Sequence, residues 1–196
     1  VFSLKKCHDY LLFLNIETRY GEFIMKLTDI LPIEGWIEFE KDIHHRSGLD
    51  SNIFNTDGIR ITDYKQWVNR FCPKVKADDR GQSFICAVAH MNISEMARQA
   101  KRHVIEECDA GLLKLVVPVF IDDEFVGAVG ACGLILDDGE VDSFMVNKTI
   151  GMDEEEVESL AEGIKRISRQ EVEALAGHIQ DRINIIISEA KKNSKN

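Results

Sequence analysis

Two apolar, β-branched runs separated by three acidic residues dominate the hydropathy pattern of the chain. Leu112 to Phe120 is the first run, Asp122, Asp123 and Glu124 form a polar turn, and Phe125 to Leu136 returns as the second. Branched and aromatic side chains suit a pleated strand, so the pattern predicts a β-hairpin. Both runs are too apolar for a two-stranded ribbon in water, which places the hairpin in the middle of a larger sheet. Gly127, Gly130 and Gly133 interrupt the return strand, and glycine there marks a bulge or a close approach by a ligand or another backbone.

Helical periods bracket this hairpin. Within Leu4 to Leu31, the residues Phe13, Ile16, Tyr20, Phe23, Leu27 and Ile30 follow a heptad seam that Pro32 ends. A second helix is expected over Trp36 to Arg46, with Trp36, Phe39 and Ile43 on one face and Ser47-Gly48 as its stop. Asp57-Gly58 between apolar residues predicts a hairpin over Asn52 to Thr62. Asp63 to Phe71 reads as a short helix capped by Asp63 with Trp67 and Phe71 inward, and Lys74 to Gln82 as a polar loop. Asn92 to Lys101 reads as a helix, Val104 to Glu107 as a short strand, and Asp142 to Ile150 as a loop or strand end. Acidic residues 153–156 open a helix with Val157, Leu160, Ile164 and Ile167 as its stripe. Val172, Leu175, Ile179, Ile183 and Ile186 continue as a second stripe to Ala190. The sum is an α+β fold.

Composition narrows the function classes. Hydrophobic content is 44% and charged content 30%, ordinary for one globular domain. A net charge of −10 argues against direct nucleic-acid binding and against an anionic membrane surface. No apolar run reaches the roughly 18 residues of a membrane span, and the first residues lack a signal-peptide layout, so a cytoplasmic location is expected. In a reducing compartment, clustered cysteines point to metal or redox chemistry rather than to disulfides.

The stretch Cys108, Ala110-Gly111-Leu112, Val117-Pro118-Val119, Asp122 to Glu124 and Val126-Gly127 resembles the signature of the PocR sensory domain, a PAS-like module of bacterial and archaeal signalling proteins. The resemblance extends back through Phe71-Cys72 and Cys86 and covers roughly 34 to 140. It implies a PAS-like antiparallel sheet with flanking helices and a signal-input role without catalysis. Asp109 and Cys132 depart from the family pattern; Cys132 stands where the family often has Gly-Gln.

Cys72, Cys86, Cys108 and Cys132 are separated by 13, 21 and 23 residues, which is not a zinc knuckle. Three of them fall on family cysteine positions, the fourth is the departure, and Cys72 precedes proline as some cluster ligands do. Four thiolates can hold an iron–sulfur cluster or zinc, and buried free thiols are the alternative. Dispersed ligands and strand glycines favour the cluster. His90 and His103 are reserve ligands; Cys7 stands apart. No Cys/His hydrolase pattern and no phosphate loop is present, so the chain is not read as an enzyme.

The expected organisation is a dimerising or signalling helix over 1–32, a sensory domain over 33–150 and C-terminal helices over 151–196. Function is expected as a redox or gas sensor whose four cysteines hold a cluster, with terminal helices joining a homodimer and reporting to a downstream signalling protein or output domain. The alternatives are a sensor of a small alcohol or hydrocarbon derivative, held against Val117, Val119, Phe125, Gly127, Gly130 and Gly133, and an assembly module whose helices bind a partner.

Overall fold

The computed structural model describes residues 25–193. A four-stranded antiparallel sheet lies at its centre, ordered β1-β4-β3-β2, with β1 Asp50–Phe54, β2 Val104–Glu107, β3 Leu113–Ile121 and β4 Glu124–Cys132. The β3–β4 hairpin occupies the two inner positions because neither of its strands has a polar face to offer to water. Its register runs from Lys114 opposite Cys132 to Ile121 opposite Glu124, with an irregularity between Val119 and Phe120.

The two faces of the sheet pack differently. Leu113, Leu115, Val117, Val119 and Ile121 of β3 point to a core shared with two helices. These are α2, Ile33–Ser47, through Trp36, Phe39 and Ile43, and α7, Arg169–Asn193, through Val172, Leu175, Ala176, Ile179, Ile183 and Ile186. Alternate residues face the other way, where Val116 and Ala128 meet Ala89, Ile93 and Ala97 of α4, Val88–Ala100. Trp36 is fully buried, and its indole N–H donates to the Leu27 carbonyl at 3.0 Å, which fastens α1, Leu27–Ile30, to α2. Gly48 takes the left-handed conformation that ends α2.

Several expectations change. The heptad pattern over 4–31 lies outside the described residues except for its last turn, where Leu27 and Ile30 are buried. The Asn52 to Thr62 hairpin is half formed: β1 turns at Asp57-Gly58 but re-pairs only as a bridge between Phe54 and Arg60. No helix forms over 63–70, and Trp67 is exposed. The helix starts at Phe71 instead, as α3, Phe71–Ala77, with Pro73 in the first turn where its missing N–H costs nothing. The expected polar loop is therefore helical. It runs into a π-helix, Gly81–Ala87, and on into α4. Residues 143–150 are a helix, α5, Ser143–Ile150, capped by the Asp142 carboxylate on the Met145 N–H at 2.8 Å.

Helix α6, Glu154–Ala161, stops short of the expected stripe, and Gly163 breaks it at φ 78°. Ile167 then enters β6, Arg166–Ile167, which pairs in parallel with β5, Ile135–Leu136. Because α7 fills the same core as β3 and α2, the packed unit continues past the expected boundary at 150.

Candidate functional site

All four candidate cysteines line one cavity of about 560 Å³ on the α4 side of the sheet. Each arrives on a different element. Cys72 comes from the first turn of α3, Cys86 from the π-helix, Cys108 from the turn after β2 and Cys132 from the last residue of β4. All four are free and half-buried. A π-helix widens the turn and re-aims its side chains, a device frequent at functional sites.

Local chemistry explains the placement. Asn69 is the tie that the sequence reading missed. Its carbonyl oxygen accepts the Cys72 N–H at 2.7 Å, while its amide N–H groups donate to the Gly133 carbonyl at 2.6 Å and to the Cys72 sulfur at 3.3 Å. One side chain thus caps α3 and couples Cys72 to the residue after Cys132. The readable signal was an Asn shortly before a first-turn proline, an N-terminal helix pattern. Cys108 sits in a tight turn closed by Gly111 N–H to the Cys108 carbonyl at 2.7 Å and by Cys108 N–H to the Leu112 carbonyl at 2.8 Å.

Three of the thiols are held protonated. Burial pushes Cys72 well above its ordinary range, and the other three cysteines add to the rise. Burial pushes Cys86 up to about 11 against the opposing charge of Lys76. Cys108 is also raised by burial, although backbone N–H groups of Ala110 and Leu112 and the Lys114 charge favour its thiolate. Among the described residues, no group of three or more His, Cys, Asp or Glu side chains closes around a single metal-ion position.

Charged and aromatic groups complete the walls. Across the sheet, Asp50, Cys132 and Lys114 are neighbours in register. Lys114 holds its ammonium 5.4 Å from the centre of the Phe54 ring, and Lys76 holds its own 5.1 Å from that of Trp67. His90 stacks on Phe54 at 3.6 Å; burial, then Lys114 and Lys76, drive its pKa down to about 3, so it is neutral. Arg60 reaches from the cavity rim to Glu40 at 3.4 Å and to the carbonyls of Ser51 and Tyr64. Glu40, fully buried, also accepts from Thr62 Oγ1 at 2.7 Å and Ile53 N–H at 3.0 Å; burial outweighs these contacts and raises its pKa to about 7.

The six expected ligand-contact residues divide. Gly133 lines the cavity, and Gly130 adjoins it beneath Phe54 and Lys114. Val117 and Val119 do not reach it; strand alternation turns them into the core with α2 and α7. Phe125 packs edge-on against Phe120, and Gly127 is closed over by the Phe54 carbonyl and Leu27. His90 lines the cavity, whereas His103 pairs with Glu173 at 2.7 Å on the outside. A larger groove of about 820 Å³ runs between α2 and α7, where Arg46 and His178 pair with Asp42 and Arg166 donates to three carbonyls, but none of the four candidate cysteines reaches it. The cysteine cavity is therefore the candidate site.

Among the described residues, no helix is long and apolar enough to cross a membrane. Comparisons with curated proteins and with solved structures gave no match. A family model described as "Sensory domain found in PocR" matches residues 29–191, which takes in the whole sheet, all four cavity cysteines and nearly all of α7. The chain belongs to the PocR sensory-domain family, and its role is signal input.

Proposed function

We propose that the cavity is the signal-input site and that Cys72, Cys86, Cys108 and Cys132 hold an iron–sulfur cluster, making the domain a redox or gas sensor. The observation that carries this reading is that four cysteines spread over 60 residues and four elements line one cavity. Soft thiolate donors suit a cluster or zinc. A closed zinc site asks for four sulfurs around one ion at about 2.3 Å each. Among the described residues no such single-ion cage is formed; the choice of a cluster over zinc rests on the dispersed positions of the four cysteines along the chain. Cationic metal reverses the protonation that burial imposes on Cys86 and Cys108.

When bound, the cluster supplies one-electron and ligand-exchange chemistry. The chain's own residues do the rest. Asn69 holds Cys72 to the end of β4, and the fold around Cys86 and Cys108 limits access of water. Cys132 ends a strand whose neighbour β3 carries α7 on its opposite face, so a shift at the sulfurs has a packed route to the terminal helix. In this reading α7 joins two copies and passes the state to an output partner.

The test is anaerobic purification followed by iron, sulfide and zinc analysis and a visible spectrum, with reconstitution as a control. Stoichiometric iron and sulfide, lost on replacing any one of the four cysteines by serine, is the expected result. A colourless, metal-free protein after reconstitution would sink the proposal, and one zinc per chain would recast the site as a structural clamp.

A further inference from the structure

We propose that the same cavity binds a small organic anion, a short carboxylate held by the ammonium groups of Lys114 and Lys76 with its apolar part against Phe54, Trp67 and Leu112. This rests on the cavity being the signal site and does not require a metal.

The first observation is an unpaired buried cation. Lys114 is only 7% exposed, yet among the described residues it makes no hydrogen bond and no ion pair. Its neighbours in register include Glu106 on β2 and, beyond Cys132, Asp50 on β1, and neither forms an ion pair with it. Asp50 couples to it only at a distance, without an ion pair; a buried charge so weakly compensated is costly, and an anion delivered into the cavity would relieve that cost. The lysine head lies in a notch left by Gly130. A side-chain carbon there would come within 3.2 Å of the Phe54 ring and 3.7 Å of the lysine nitrogen.

The second observation is the charge of the walls. The chain carries a net charge of −10, yet the cavity is lined by Lys65, Lys76, Lys114 and Arg60 against Asp50 alone. Arg60 is committed to Glu40 and to backbone carbonyls. Lys76 and Lys114 each stand over an aromatic ring, form no ion pair, and share the charge of the one wall carboxylate, Asp50. Two unpaired ammonium groups, each on a ring, frame a space whose volume falls in the range of small-molecule sites. Lysine is a compact point charge that imposes no bidentate geometry, so it suits a carboxylate reached from either side.

Thermal shift and calorimetry with butyrate, benzoate and succinate, each against butanol, benzyl alcohol and butanediol, would test this on metal-free and on iron-and-sulfide-reconstituted protein. At least one anion should bind tenfold or more tightly than its neutral counterpart, in both forms. Lys114→Met should remove that preference while leaving the weak binding of the alcohols, and Lys76→Met, at a more accessible position, should reduce it. Equal binding of anions and alcohols would overturn the proposal, as would undiminished anion binding by Lys114→Met. Loss of iron from Lys114→Met, with anions binding only the metal-free form, would assign the lysine to the cluster and also overturn it. Anion binding by a protein that never takes up iron would leave this inference standing and remove the cluster.

Discussion

Gly111→Ala should destabilise the domain by about 2–5 kcal/mol, combining a strained backbone with an overpacked one. Gly111 adopts φ 78°, and a Cβ there would lie 1.9 Å from the Glu140 carbonyl oxygen and 3.0 Å from the Asp142 nitrogen. Both neighbours are backbone, so neither can swing aside. The same turn, closed by the Gly111 N–H on the Cys108 carbonyl, presents Cys108 to the cavity, so uptake of the proposed cluster should fall together with stability. Gly151→Ala is the control: φ is 74° but nothing lies within 4 Å of the added carbon, and only backbone strain of about 1 kcal/mol is expected. Urea unfolding measures both, as a shift in midpoint at constant slope. Equal costs for the two variants would show that the close contact is not what makes Gly111 necessary.

Opposite pH responses are expected from Glu40→Gln and His90→Phe in the metal-free protein. Glu40 has its folded pKa raised from 4.5 to about 7, with burial as the leading cause. Its contribution to stability is therefore complete below pH 4.5 and is lost as pH rises through about 7. At about 1.4 kcal/mol for each tenfold change in proton affinity, the loss is about 3 kcal/mol. His90 has its folded pKa lowered from 6.5 to about 3, again chiefly by burial. Its contribution is complete above pH 6.5 and is lost as pH falls toward 3, by up to about 5 kcal/mol on the same conversion.

The two effects oppose one another between pH 4.5 and 6.5. Removing Glu40 should make stability climb more steeply with pH across that window. Removing His90, with Phe keeping a ring against Phe54, should make stability fall with pH instead. Unfolding midpoints from pH 4 to 8 for the wild type and both variants give the answer, and three parallel curves would refute it. Glu40 also ties the cavity rim to α2 through Arg60 and Thr62, so the same titration reaches the loop beside the site.

Local chemistry made parts of this molecule legible before any fold was known. The hairpin was readable because its branched runs and acidic turn admit few other structures, and its centrality followed from having no polar face to expose. Helix α2 was readable from its apolar spacing and its glycine stop, and α7 from a stripe sustained from Val172 to Ile186. Helix α3 was not readable, since only Phe71 and Val75 are buried in it and Pro73 and the two lysines, Lys74 and Lys76, make the segment look like a loop. The stripe through Ile164 and Ile167 misled because apolar spacing continues across Gly163, where the chain leaves the helix.

The site divides along the same line. The sequence alone supplied the four cysteines and the glycine-broken strand, because residue type and chain order are enough to name them. Only the tertiary structure decided that the cysteines share a cavity, since their elements meet through long-range packing that no local spacing encodes. It alone decided which side of β3 faces that cavity, since a strand buried on both faces shows no alternation to read. Val117 and Val119 therefore went to the core while Lys114 went to the site, and Asn69 became the tie between two cysteines 60 residues apart.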